Sequence, residues 1–148
     1  MSQPSLFGGE GELSEVVIFC DGGARGNPGP AAIGAVVYDP TTTPPRRLTT
    51  VSERIGVTTN NVAEYRALIA GLEAAAPFGA RRVRVRADSK LVVEQLRGAW
   101  RVRQPHLRPL YEEARRLLSR YEHVDLAHVP REQNEDADAL VNAALDAH

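Results

Sequence analysis

The stretch EVVIFCDGGARGNPGPAAIGAVVYD, residues 15–39, decides how this chain is read. It opens on EVVIFCD, a continuous apolar run of the kind found in a strand covered on both faces. The run ends on an acid, Asp21. Gly, Pro, Asn and Arg follow before the chain turns apolar again in AAIGAVVYD, a second strand. One reading makes this a hairpin loop and nothing more. The other parks Asp21 at a strand end, beside a loop whose Gly22, Gly23, Gly26 and Gly29 hold no side chain between their backbone and a ligand.

Working outward, DPTTTPPRR is a turn and RLTTVSERIGV a third strand, which completes an antiparallel meander. The period then changes. Val62, Tyr65, Ile69, Leu72 and Ala76 recur at helical spacing, and Pro77 and Gly79 close that helix. RRVRVRAD alternates as a strand does, valines on one face and arginines on the other. SKLVVEQLRG is a short helix stopped by Gly98. PHLRPLYEEARRLLSRY is another, with Pro109 awkward inside it. HVDLAHVP is a fifth strand. NEDADALVNAALDA is a last helix with a core face at Ala137, Leu140, Val141, Ala144 and Leu145. This order predicts an α/β fold: a five-stranded mixed sheet, the meander plus two parallel strands, with helices on both faces.

The chain has 148 residues, 43% of them hydrophobic and 25% charged, which suits one soluble globular domain. Residues 15–148 are assigned to that domain and residues 1–14 to a disordered lead-in. The opening MSQPSLFGGEGELSE has neither a basic start nor an apolar core, so no secretory signal is expected in it. No apolar run approaches the ~20 residues of a membrane span. The single cysteine, Cys20, excludes an internal disulfide and points to a reducing cytoplasm; within its apolar run it reads as a small buried hydrophobe. Net charge is −1, from 18 Lys and Arg against 19 Asp and Glu, so overall charge announces no nucleic-acid partner. The arginines are nevertheless clustered, at 81–86, at 97–108 and at 115–120, and form either a basic face or a solvated surface of mixed charge.

Asp21, Glu64, Asp88 and Asp138 stand at element ends, and each has a structural explanation. Asp21 can serve a turn with Gly22 and Gly23. Glu64 lies three residues after Asn61, the spacing of a capping arrangement with Asn61 as cap. Asp88 can cap the helix that follows it. Asp138 suits the first turns of its helix, where the dipole favours negative charge. As a set the acids demand more. Carboxylates gathered at the ends of adjacent strands and the starts of packed helices repel, and burial raises the cost. A divalent cation relieves both. Oxygen donors without a His or Cys cluster suit Mg²⁺ or Mn²⁺ rather than zinc. Helix phase points Glu64 about 120° from its apolar stripe, an exposed position. Asp136 and Asp138 flank the core face of the last helix about equally, and geometry does not choose between them.

The segments DGGARGNPGP, TTNNVAEYRALIAGLEAA, ADSKLVVEQLRG and HVPREQNEDADALVNAAL resemble, in order and in context, the successive motifs of type 1 ribonuclease H, over roughly residues 16–146. The nearest likeness is the compact archaeal and actinobacterial form, without the long basic protrusion of some bacterial enzymes. The resemblance implies an endonuclease that cuts the RNA strand of an RNA/DNA hybrid with two Mg²⁺ ions, leaving 5′-phosphate and 3′-hydroxyl ends. It implies that Asp21, Glu64 and Asp88 are metal ligands. It also assigns the fourth position to Asp138, four residues after Asn134.

For substrate, the resemblance implies that the Gly22 loop and Asn27 read the RNA 2′-hydroxyl. Thr59, Asn60 and Asn61 would meet the DNA strand. HVPREQN is too short for the histidine-bearing loop that relatives with the protrusion carry before the last helix; Arg131 occupies that region and is expected to approach the scissile phosphate. Two departures stand out. Val57 replaces an arginine that many relatives carry in the DNA-phosphate pocket. RGAWRVRQPHLRP takes the place of the protrusion, with Trp100, Arg101, Arg103 and Arg108 either facing the DNA strand or, for Trp100, packing between helices. A monomer without an obligate protein partner is expected. Two other classes compete: a non-catalytic nucleic-acid-binding module, against which the complete acid set argues, and a nuclease of the same fold acting on DNA.

Overall fold

A computed structural model describes residues 13–147, so the lead-in assigned to residues 1–14 lies, up to residue 12, outside the described residues. Its end is tied down: Leu13 packs against the core, and the Ser14 carbonyl accepts from the amides of Arg81 and Arg82. The elements run β1 (Glu15–Ala24), β2 (Gly29–Asp39), β3 (Arg46–Thr58), α1 (Asn60–Ala75), β4 (Arg82–Ala87), α2 (Lys90–Leu96), α3 (Arg108–Leu118), β5 (His123–His128) and α4 (Glu135–Asp146). They form one sheet in the order β3-β2-β1-β4-β5. The β1–β2 and β2–β3 pairs are antiparallel, and the β1–β4 and β4–β5 pairs parallel. No helix among the described residues is long and apolar enough to cross a membrane.

β1 is the central strand, which is why its sequence is apolar on both faces. Val16, Ile18 and Cys20 face the main core beneath α1, together with Leu68, Leu72, Val83 and Val85. The opposite face receives α4, whose Val141 and Ala144 pack with Ala32. Gly34 permits this contact, because a Cβ there would lie 2.4 Å from the Ala137 carbonyl oxygen. β4 is covered on one face only. Its valines are buried, while Arg84 pairs with Glu15 at 2.5 Å and Arg86 with Asp125 at 3.0 Å. These strand arginines are therefore neutralised by acids rather than forming a free basic face.

Three local readings are corrected. The Gly/Pro segment is mostly strand: Gly22, Gly23 and Ala24 pair with Ile33, Ala32 and Ala31, which leaves residues 25–28 as the hairpin loop. Glycine lacks a side chain but keeps both ladder groups. Pro109 does not interrupt a helix, because a 3-10 turn at Pro105–Leu107 precedes α3 and Pro109 falls in its first turn, where no amide is needed. Asn61 does not cap α1. Thr59 does, accepting from the Val62 amide at 3.3 Å.

Candidate active site

The topology brings the acids together. In the parallel β1–β4 pair, Cys20 lies beside Ala87, so Asp21 and Asp88 follow side by side where that pairing ends; Asp21 is therefore not the end of its strand, because β1 runs on to Ala24 against β2. The first turn of α1 crosses the end of β1 at Gly22. A Cβ at Gly22 would lie 2.2 Å from the Ala63 carbonyl oxygen, so glycine is required for the helix to approach this closely. That approach carries Glu64 onto the strand, where its carboxylate accepts from the Gly22 amide at 3.1 Å. Glu64 is half-buried rather than exposed, because the strand end covers it. Carboxylate oxygens of Asp21, Glu64 and Asp88 lie within 4.8 Å of one another.

Asp138 stands across the same cavity, outside that tight trio. It comes close enough to Asp21 to raise the latter's pKa, accepts from Asn142 Nδ2 at 3.3 Å, and faces the Arg131 guanidinium at 3.8 Å. The cavity holds about 320 Å³ and includes Gly22, Gly23, Arg25, Asn60 and Arg131 in its wall. A larger one, about 620 Å³ on the face bearing Phe19, Tyr38, Arg84 and Arg86, contains none of the four acids.

Asp136 and Asp138 part company here. Asp136 accepts from the Tyr38 hydroxyl at 2.5 Å and pairs with Arg47 at 3.4 Å, which moors the start of α4 to β2 and β3. Asp138, about half a turn further on, looks into the cavity. Asp88 is not a helix cap either: Ser89 caps α2 through the Val92 amide at 3.3 Å.

The electrostatics match the crowding. Burial, then the charges of Asp88 and Asp138, pushes the Asp21 carboxyl up to about 8. Burial, then Asp21 and Asp88, holds Glu64 well above the usual carboxylate range, against the opposing Gly22 hydrogen bond. Burial, then Glu64, Asp21 and Asp88, pushes the Cys20 thiol up, and its sulfur turns to the Arg86 carbonyl at 3.9 Å. Asp88 Oδ1 is buried and makes no hydrogen bond. An unpaired carboxylate oxygen among like charges, in a set of oxygen donors only, fits a hard divalent cation.

The remaining sequence-predicted residues surround this centre. Asn27 Oδ1 accepts from the Asn60 amide at 3.0 Å, and Asn60 Oδ1 accepts from the Ala24 amide at 2.9 Å. The β1–β2 loop is thereby laced to the start of α1. Asn27 keeps its NH₂ unused in these contacts. The space at Gly22 is filled by α1 and that at Gly29 by the Arg25 carbonyl; Gly23 is the one of the two paired glycines with room around it. Val57 is 73% exposed, so nothing within the protein explains its place. Trp100 is exposed too, and the Lys90 ammonium lies 5.9 Å from its ring, so it is not helix–helix packing. Sequence reasoning missed Asn134 as a contact: its buried Nδ2 donates to the Cys20 carbonyl at 2.9 Å and fixes the start of α4 beside Asp21. It also missed Arg25, which pairs with Asp146 at 2.8 Å at the far end of α4.

An acid-lined centre at the switch between antiparallel and parallel strands, under two helix starts, defines a ribonuclease H-like nuclease fold. Residues 19–144 match the reverse transcriptase-like family. The N-terminal RNase H domain of Rv2228c from Mycobacterium tuberculosis is 50% identical, with a TM-score of 0.83 over 89% of this chain and 99% of that one. RNase H1 from Halobacterium salinarum is 48% identical, with a TM-score of 0.84 over 89% of this chain and 98% of the other. LC11-RNase H1, isolated from compost and solved in complex with an RNA/DNA hybrid, is 43% identical with a TM-score of 0.81 over 88% and 96%. The chain belongs to the type 1 ribonuclease H family. It spans 36% of the length of the bifunctional mycobacterial protein.

Proposed function

We propose that the chain is an endonuclease that hydrolyses the RNA strand of RNA/DNA hybrids and leaves 5′-phosphate and 3′-hydroxyl ends. The observation that carries this reading is the convergence of Asp21, Glu64, Asp88 and Asp138, from four separate elements, on one cavity where at least one buried carboxylate oxygen is unpaired. The four carboxylates would hold a pair of divalent cations, Mg²⁺ with Mn²⁺ able to substitute. When bound, such ions supply Lewis-acid activation of water and of the scissile phosphate. The protein's own residues prepare and aim the site. The Gly22 amide orients Glu64, Asn134 holds α4 against β1, and Asn142 orients Asp138. Arg131, 80% exposed at its side chain, has the reach to meet a phosphate oxygen at the cavity mouth. Asn27 offers its NH₂ to a 2′-hydroxyl, the group that separates RNA from DNA. Gly22 and Asn60 line the cavity, and with Thr59 and Asn61 on either side of Asn60 they would contact the hybrid.

The buried single thiol fits a reducing cytoplasm, and the compact domain fits a monomer that needs no protein partner. The test is cleavage of a duplex labelled on its RNA strand, with and without Mg²⁺, alongside RNA/RNA and DNA/DNA duplexes. The hybrid is cut only with the ion present, and Asp21→Asn or Asp88→Asn loses at least about a thousandfold in rate. Near-wild-type cleavage by Asp21→Asn would refute the assignment.

A further inference from the structure

Among the described residues two buried polar side chains, Asp39 and Gln95, lie outside the acid centre and have no role in the function proposed above; Asp39 closes a turn with Thr41. Gln95 sits on α2, 2% exposed, and the other buried residues of that helix, Val92, Val93 and Leu96, are apolar. A leucine there would avoid the cost of desolvating an amide. Gln95 is instead paired at both ends. Its Oε1 accepts from the Tyr65 hydroxyl at 2.5 Å, and its Nε2 donates to the Arg101 carbonyl at 3.1 Å. Tyr65 directly follows Glu64 on α1.

Residues 97–104 link α2 to the turn before α3. The α2 carbonyls hold the first part of this link, through the amides of Gly98, Ala99 and Trp100. No hydrogen bond other than that from Gln95 holds residues 101–103 among the described residues. Arg101 and Arg103 are exposed, and no acid pairs with either among those residues, in contrast to Arg84 and Arg86 on β4.

We propose that Gln95 is a positioning residue for substrate binding: it clamps the Arg101 backbone to the helix that carries Glu64, and so fixes Arg101 and Arg103 relative to the acid centre. The proposal rests on the hybrid-cleaving reading above. A rigid clamp spares the loop the entropy of ordering when a phosphate backbone arrives. Its loss therefore weakens binding and leaves the chemical step intact.

The test compares Gln95→Met, similar in size but without hydrogen-bonding groups, with Val93→Ala. Val93 is fully buried on the same helix and makes no side-chain hydrogen bond, so its variant controls for lost stability. Gln95→Met should raise KM for hybrid about tenfold, with kcat within about twofold, and flatten the dependence of binding on salt by about one to two phosphate contacts. Val93→Ala should keep the wild-type KM. In an Arg101→Ala/Arg103→Ala background, Gln95→Met should change KM no further. Trypsin, which needs no substrate, should cut Gln95→Met faster at Arg101 and Arg103 than wild type. An unchanged KM in Gln95→Met, or an equal rise in Val93→Ala, overturns the proposal. Absence of hybrid cleavage by the wild type overturns both readings, and the trypsin pattern then records separately whether Gln95 orders the loop.

Discussion

Removing the Asp21 charge should stabilise the metal-free protein at alkaline pH, although the same change abolishes the proposed activity. Asp21 is 6% exposed, and its carboxyl moves from 3.8 to about 8 on folding. The folded chain thus holds a proton that the unfolded chain has released throughout that window. The Asp21 contribution to stability is full below about pH 4, falls as pH rises toward 8, and levels off above it, where both states are ionised. The full shift of about 4 units corresponds to about 5–6 kcal/mol at ~1.4 kcal/mol per unit. Side-chain relaxation and counterions take up part of this, so a net gain of about 2–3 kcal/mol is expected for Asp21→Asn at pH 8.5. In a chain of this size that is a rise of about 5–10 °C in Tm.

The assay is thermal unfolding in EDTA from pH 4 to 8.5. The variant should melt with the wild type at pH 4 and above it at pH 8.5. Adding Mg²⁺ should raise the wild-type Tm, more at pH 8.5 than at pH 6, because the ion competes with protons for the same oxygens. The variant should respond weakly. An Asp21→Asn protein no more stable than wild type at pH 8.5, or one whose advantage grows toward acid, would refute the reasoning.

Other changes separate packing from chemistry. Gly22→Ala forces a Cβ to 2.2 Å from the Ala63 carbonyl, so it should cost at least about 3 kcal/mol in urea denaturation and displace Glu64. Asp136→Ala unpairs the Tyr38 hydroxyl and Arg47, and should lower stability by about 1 kcal/mol while Mg²⁺ still raises Tm as in wild type; Asp138→Ala should fold normally and lose hybrid cleavage. Asn134→Ala loses a buried donor to Cys20, so it should destabilise by about 1–3 kcal/mol and reduce kcat more than it changes KM. Hybrid affinity of the wild type should fall steeply between about 50 and 200 mM salt, and a flat profile in a binding titration would count against phosphate contacts by the arginines of residues 97–104.

What the sequence revealed and what it hid divide along a physical line. Periodicity reports which face of an element is apolar, so the order of strands and helices was legible. So was the placing of Asp88 just past the end of β4; Asp21 marks instead the point where β1 loses its β4 neighbour, while its pairing with β2 continues to Ala24. Periodicity does not report which polar neighbour a side chain meets across the fold. TTNN offers four residues able to cap α1, and only the path of the chain out of β3 selects Thr59. Asp136 and Asp138 tie on helix phase; the tie is broken by Tyr38, 98 residues away from Asp136, whose hydroxyl claims the first acid and leaves the second to face the cavity. Glu64 looked exposed because helix phase knows only its own helix, whereas Gly22 lets a strand end lie against that side. Gln95 reads as an ordinary polar position in SKLVVEQLRG, and α1 and the link to α3 make it a buried bridge. Apart from the local Thr59 cap, the hidden fact is a long-range polar contact, and one such contact, from the Gly22 amide to Glu64, helps to hold Asp21, Glu64 and Asp88 within 4.8 Å. An acid set written at element ends therefore needs a second set of less conspicuous residues to aim it. Asn134, Asn60 and Gly22 fill that role around the centre, and their substitution should impair the site without removing a single charge from it.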